Sequence, residues 1–268
     1  MSQSPEPAEV PIAVGEFDVL AAGSDAIRVV PLALPDELAA APMAAPKLTY
    51  RGGHLLSSVE VFTTFWGSAW EQGEPAQARA KIDEFFQFIL TSALIDQLAE
   101  YSVPRHKIGH GQLVGTAVVP AMNFQSAISD GEIRHRLQHR ILTDHRFPPP
   151  NRNMLYFIYL PPGVAVVQGG GRSCQVFCGY HDAINGKIFY AVMPWPGCGG
   201  CIGGLGRIDA LTSTSSHELC EAITDPVPPL GWYDNAHGEI GDICAWKTKQ
   251  LGSYTVQLEW SNSAGKCV

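Results

Sequence analysis

The sequence predicts a single α/β domain, a mixed sheet with helices packed against it. Three observations point there. Apolar residues make up 46% of the chain, enough for a sizeable core. Runs rich in β-branched and aromatic residues alternate with stretches whose apolar residues recur at helical spacing. These two kinds of segment interleave along the chain, the pattern of a layered α/β domain. A length of 268 residues suits one large domain or two small ones, and no internal repeat divides it.

The elements follow in order. Residues 1–46 are rich in Ala and Pro and end in Ala39-Ala40-Ala41-Pro42-Met43-Ala44-Ala45-Pro46. They read as an N-terminal arm or a propeptide, in which Ile27-Arg28-Val29-Val30 could add an edge strand. Residues 47–268 form the domain proper. Val59 to Trp66 is β-branched and aromatic, hence a buried strand. Pro75 opens a helix whose stripe Ile82, Phe85, Phe86, Ile89 and Ala93 continues to about Tyr101. Gln112 to Val119 reads as a strand. Ser129-Asp130-Gly131-Glu132 is a capping box, with Ile133, Leu137 and Ile141 behind it and Pro148-Pro149-Pro150 as its stop. Met154 to Leu160 is a continuous apolar run, so a central strand. Ile188 to Val192 is another, and this inserted pair suggests a mixed sheet. A helix from about Ile208 to Thr224, stopped by Pro226, and a final strand from Tyr254 to Trp260 complete the list.

Charge narrows the function classes. The chain has 18 basic and 26 acidic residues, a net charge of −8. Nucleic-acid binding needs a basic surplus to neutralise phosphates, so it is not expected. No apolar run is long enough to span a membrane. Met1 to Pro7 shows no basic stretch followed by an apolar one, so no signal peptide is read there. That leaves an intracellular chain, or one exported by another route.

The chemistry concentrates near the C-terminus. His217 and Glu221 stand at i and i+4 on the expected helix, one turn apart on one face. Leu211, Leu219, Ala222 and Ile223 fall on the other side, so the imidazole and carboxylate are expected to point outward together. Zinc hydrolases with H-E-x-x-H place two ligands at this spacing, with the intervening Glu as general base. Here the ligands are His217 and Glu221, and the base is Glu218. A carboxylate is an acceptable zinc ligand, but H-E-x-x-E is a weaker signal, and an amphipathic helix with a solvated polar face carries the same residues. A third ligand must come from outside the helix. Asp225 is about 12 Å from His217 along a straight helix and reaches the same ion only if the helix bends, so Asp242 is preferred, with Asp225, Asp234 and Glu239 as alternatives. Asp234, Asn235 and Glu239 could instead hold Ca²⁺, which favours loop oxygens. Tyr233 or His181 could steady an oxyanion. The expected function is therefore a zinc-dependent hydrolase acting on peptide or protein substrates. The alternative is a non-enzymatic binding protein with a structural metal.

All 7 cysteines lie in the last third: Cys174, Cys178, Cys198, Cys201, Cys220, Cys244 and Cys267. The first four have the spacing of a zinc knot, or could form two disulfides. Cys244 and Cys267 flank the last strand and could pair. Cys220, on the helix, is the natural odd one.

The chain resembles the Exordium, or phosphate-induced, proteins of plants and their bacterial relatives. The resemblance is carried by Leu48 to Leu56 leading into Phe65-Trp66-Gly67, by Cys178-Gly179-Tyr180-His181, by the Cys198/Cys201 pair before a Gly-rich turn, and by Trp232-Tyr233 through Cys244. His217-Glu218 with Asp225-Pro226 is similar to the bacterial branch, which implies a zincin-like metallohydrolase architecture. The resemblance also implies a secreted or wall-associated protein with disulfides, a cytoplasmic location being the alternative. It implies at least two bridges, Cys244–Cys267 among them, with Cys220 free.

Overall fold

A computed structural model describes residues 29–33 and 45–268; Ile27 and Arg28 of the expected edge strand lie outside them. In chain order the strands are β1 (Val29–Pro31), β2 (Thr49–Tyr50), β3 (Glu60–Trp66), β4 (Gln112–Val119), β5 (Ala127–Ser129), β6 (Met154–Tyr159), β7 (Ala165–Gln168), β8 (Gly171–Arg172), β9 (Phe177–Ile184), β10 (Ile188–Met193), β11 (Trp232–Tyr233), β12 (Thr248–Leu251) and β13 (Tyr254–Gln257). Two short strands, β14 (Trp260–Ser261) and β15 (Lys266–Cys267), close the chain. The helices are α1 (Gly73–Ile89), α2 (Ala93–Gln97), α3 (Asp130–Thr143), α4 (Gly199–Ile202) and α5 (Arg207–Thr224).

The main sheet runs β1-β9-β10-β6-β3-β4. Strands β4, β3, β6 and β10 are mutually parallel, β9 is antiparallel to β10, and β1 is antiparallel to β9. The sheet is thus mixed, as expected, but for a different reason. Met154–Leu160 and Ile188–Val192 pair in parallel, and the reversal comes from β9, which the hydropathy pattern did not reveal. Phe177–Ile184 contains Gly, His and Asp among its apolar residues, which hides a strand buried on both faces.

Strand alternation sorts the core into two layers. Leu155, Phe157 and Tyr159 of β6 and Phe189, Ala191 and Met193 of β10 face α1 and α5. Tyr156, Ile158, Tyr190 and Val192 face the other way, against Ile133 and Leu137 of α3. The sheet is therefore covered on both sides, which is why β6 is apolar at every position. The stretch expected as one helix to Tyr101 is broken into α1, α2 and a 3₁₀ turn at Leu98–Tyr101. Ser92 interrupts it by capping α2, its Oγ accepting from the Leu94 N–H at 3.2 Å. Of the capping box at the start of α3, the N-cap half is formed: Ser129 Oγ accepts from the Glu132 N–H, also at 3.2 Å, while the Glu132 carboxylate pairs with Arg136. The last expected strand leaves the main sheet; Tyr254–Gln257 pairs with β12 as a hairpin and packs along α5.

The cysteines form disulfides rather than a zinc knot. Cys174–Cys198 and Cys178–Cys201 tie β9 and the turn before it to the segment leading into α5, and Cys244–Cys267 ties a 3₁₀ turn (Asp242–Cys244) to the last strand. Cys220 is free and buried. Each bridge spans 23 or 24 residues, and a loop of that length contributes about 3 kcal/mol through the unfolded chain. Alkylating the denatured, unreduced protein is expected to modify Cys220 alone. Modification of all 7 cysteines in a mass spectrum would reject the bridges.

Candidate metal centre

The site is assembled from α5, β9 and the segment after β11. On α5 the spacing puts His217, Glu221 and their neighbour Glu218 toward one side. That side was expected to face water. It does not: every residue from Ala210 to Thr224 is buried, with His217, Glu218 and Glu221 at 0% exposure. The polar face of α5 looks into a closed, polar interior, because β9, the loop at 238–242 and the β12–β13 hairpin cover it.

Strand alternation then explains what β9 contributes. Ala183 faces the α5 layer and Tyr180 and Ile184 the other, so Gly179 and His181 also face α5. Gly179 is required by close approach: a Cβ there would lie 2.9 Å from Thr214 Cγ2 and 3.3 Å from Glu218 Oε1. Gly241 has the same role over His217, where a Cβ would come within 2.8 Å of the ring. Both glycines let backbone press directly on the site.

His217 is oriented by Gln257 of β13. The Gln257 amide is itself fixed, its Nε2 donating to the Gly241 carbonyl and its Oε1 accepting from the Trp246 N–H. That oxygen therefore accepts from His217 Nδ1–H, at 3.1 Å. Nε2 is left facing Glu221 Oε1 at 2.9 Å and Asp242 Oδ1 at 3.9 Å. It has no hydrogen-bond partner, and neither has Asp242 Oδ1. A histidine held through one nitrogen with the other aimed at carboxylates is how proteins present imidazole to a metal. Asp242 is thus brought to His217 and Glu221, and its N–H donates to Glu221 Oε1 at 3.1 Å.

His181 and Glu239 extend the cluster. His181 Nδ1 lies 3.0 Å from Glu218 Oε2, and its Nε2 lies 3.1 Å from the Asp225 carbonyl and 3.5 Å from Glu239 Oε1. Two groups have ligand atoms within 4.8 Å of one another: His217 with Glu221 and Asp242, and His181 with Glu221 and Glu239. The chemistry of this donor set, imidazole with carboxylate, suits zinc, manganese or iron. The unpartnered buried atoms of both groups show that the residues fit such an ion.

The other sequence candidates are placed as follows. Asp225 ends α5, away from His217 as helix length requires; its Oδ1 accepts from the Gly231 N–H. Asp234 serves turn chemistry, accepting from the N–H groups of Lys47, Ala236 and His237, while Asn235 accepts from Arg51. Glu239 is buried in the cluster, so the three residues considered for Ca²⁺ do not share one function. The Tyr233 ring is covered by the Arg51 guanidinium at 4.6 Å, and His181 lies in the cluster with Glu221 and Glu239. Gln257 and Glu259 were not singled out from sequence at all.

Electrostatics follow from burial. Burial opposes charge on His217, yet Glu221 beside it holds its pKa well above the ordinary value. His181 is also raised against the effect of burial, by Glu239 and Glu218. Burial likewise works against the Glu221 carboxylate, but His217 and His181 bring it down to about 2. Burial pushes Asp225 up to about 7 and drives Glu239, Asp242 and Glu259 well above the carboxylate range.

No protein-family model matches the chain, and no curated protein matches it.

Proposed function

We propose that the chain is a metal-dependent hydrolase of zincin-like architecture, acting on peptide bonds. The observation that carries this reading is the His217 arrangement: Nδ1 spent on Gln257, Nε2 unpartnered and facing Glu221 and Asp242. His217, Glu221 and Asp242 would hold the ion, zinc being the best match to a mixed imidazole and carboxylate set. When bound, it supplies Lewis acidity and brings the pKa of a water to about 7. Glu218 projects toward β9 with Oε2 anchored on His181 and Oε1 unpartnered. That free oxygen takes the proton from the attacking water and later returns it to the leaving amine.

The substrate class follows from the sheet edge. Gly179 lies over Glu218, so a chain paired on the outer edge of β9 passes beside the base. An extended peptide adding a strand there needs only main-chain hydrogen bonds for binding. That edge is taken by β1, with Val29 opposite Tyr180 and Val30 opposite Gly179. Trp246 Nε1 donates to the Pro31 carbonyl at 2.8 Å, pinning β1 across the rim. Val29–Pro31 thus occupy the position of a substrate strand, as a propeptide segment would. The three disulfides support an oxidising, extracytoplasmic location.

One observation favours a second reading. His217, Glu221 and their neighbours are closed from solvent, and closed sites are typical of structural metals, whereas catalytic ones keep an open position. Cutting the chain between residues 34 and 44 separates the readings. With the arm released, turnover of an unstructured peptide mixture should rise about tenfold or more, as a blocked fraction becomes competent. No turnover after complete cleavage and dissociation of the arm would leave the structural metal as the better account.

A further inference from the structure

We propose that the cluster holds two divalent cations bridged by the Glu221 carboxylate, the first on His217 and Asp242 and the second on His181 and Glu239. This rests on the reading of the cluster as a metal centre and goes beyond it, since that reading needs one ion only.

The two oxygens of Glu221 serve different partners. Oε1 faces His217 Nε2 at 2.9 Å, and Oε2 faces His181 Nδ1 at 3.5 Å. Both ligand groups include Glu221. A carboxylate set between two histidines in this way is placed to bridge ions about 3.5–4 Å apart, the separation common in two-metal sites.

The second position has its own evidence. His181 Nδ1 lies 3.0 Å from Glu218 Oε2. His181 Nε2 lies 3.1 Å from the Asp225 carbonyl and 3.5 Å from Glu239 Oε1. Four buried oxygens near the ring have no hydrogen-bond partner: both of Glu239, Oε2 of Glu221 and Oδ2 of Asp225. Glu239, Glu221 and Asp225 are each at 0% exposure. Buried acceptors at such density need a cation among them.

Charge points the same way. Glu218, Glu221, Asp225, Glu239 and Glu259 are fully buried, and the Asp242 side chain is 6% exposed. The groups facing them at ion-pair range are His181 and His217. Arg51 and Lys249 act on Asp225 and Glu259 from farther off. An ion on His217 and Asp242 leaves the His181 side, with both Glu239 oxygens unpartnered, unaddressed. The arrangement without a second ion is a doubly protonated His181 held between Glu218 and Glu239.

Metal counting on the full chain decides between them. After equilibration with Zn²⁺ and dialysis against metal-free buffer, elemental analysis should find two ions per chain. Glu239→Gln should retain one. One ion in the wild type, unchanged by Glu239→Gln, would overturn the second position while leaving the His217 centre intact. No ion in either would sink both proposals. Should Glu239→Gln fail to fold, Mn²⁺ titration of the wild type reads the same question by electron paramagnetic resonance. The second equivalent should replace the isolated-ion spectrum with a spin-coupled one. An isolated-ion spectrum that saturates at one equivalent would overturn the inference.

Discussion

Replacing Glu218 by Gln is expected to lower kcat by about 10²–10⁴-fold, the usual value of a positioned general base, without changing the metal content. The side chain keeps its size, and its amide oxygen still accepts from His181 Nδ1, where Glu218 Oε2 lies at 3.0 Å. What is lost is the free carboxylate oxygen facing Gly179. KM should move little, because Glu218 contributes a proton acceptor rather than a binding contact. The measurement is steady-state kinetics on the arm-released protein, with metal analysis on the same sample. Turnover equal to the wild type would place the chemistry elsewhere and favour a structural metal.

His217→Ala is expected to release the ion and to lower Tm by about 10 °C. An ion present at about a thousand times its Kd stabilises by about 4 kcal/mol, and a chain of this size loses about 2–4 °C per kcal/mol. The variant removes the one imidazole that Gln257 and Gly241 hold in place. A chelator should reproduce the shift in the wild type and add little in His217→Ala. Acidification should act like the chelator, because the imidazole and carboxylates must lose their protons to ligate. A wild-type melting curve untouched by chelator at neutral pH would show that no ion stabilises the cluster.

Much of the framework was legible because it obeys local rules. The apolar run at Met154–Tyr159, the stripe of α1 and the capping box of α3 each follow from periodicity or a single side-chain hydrogen bond. The pairing of His217 with Glu221 follows from helix geometry alone. What local rules missed was β9. Its alternation is masked because both faces are buried, one against the α3 layer and one against α5. With β9 unread, His181 could be named only as a guess. Gln257 carries no signal of its own, since one Gln in a short strand is unremarkable until it meets a histidine 40 residues away.

The sequence by itself determined the layered α/β class, the helix that carries His217, Glu218 and Glu221, and the clustering of acidic residues after it. These depend on contacts within a few residues, where spacing dictates which side chains share a face. Only the tertiary structure decided that this face is buried, that β1 fills the outer edge of β9, that six cysteines pair as disulfides, and that Asp242, Glu239 and His181 converge on Glu221. Each of those outcomes joins segments far apart in the chain. Their register is set by the packing of whole layers against one another, which no short stretch of sequence encodes.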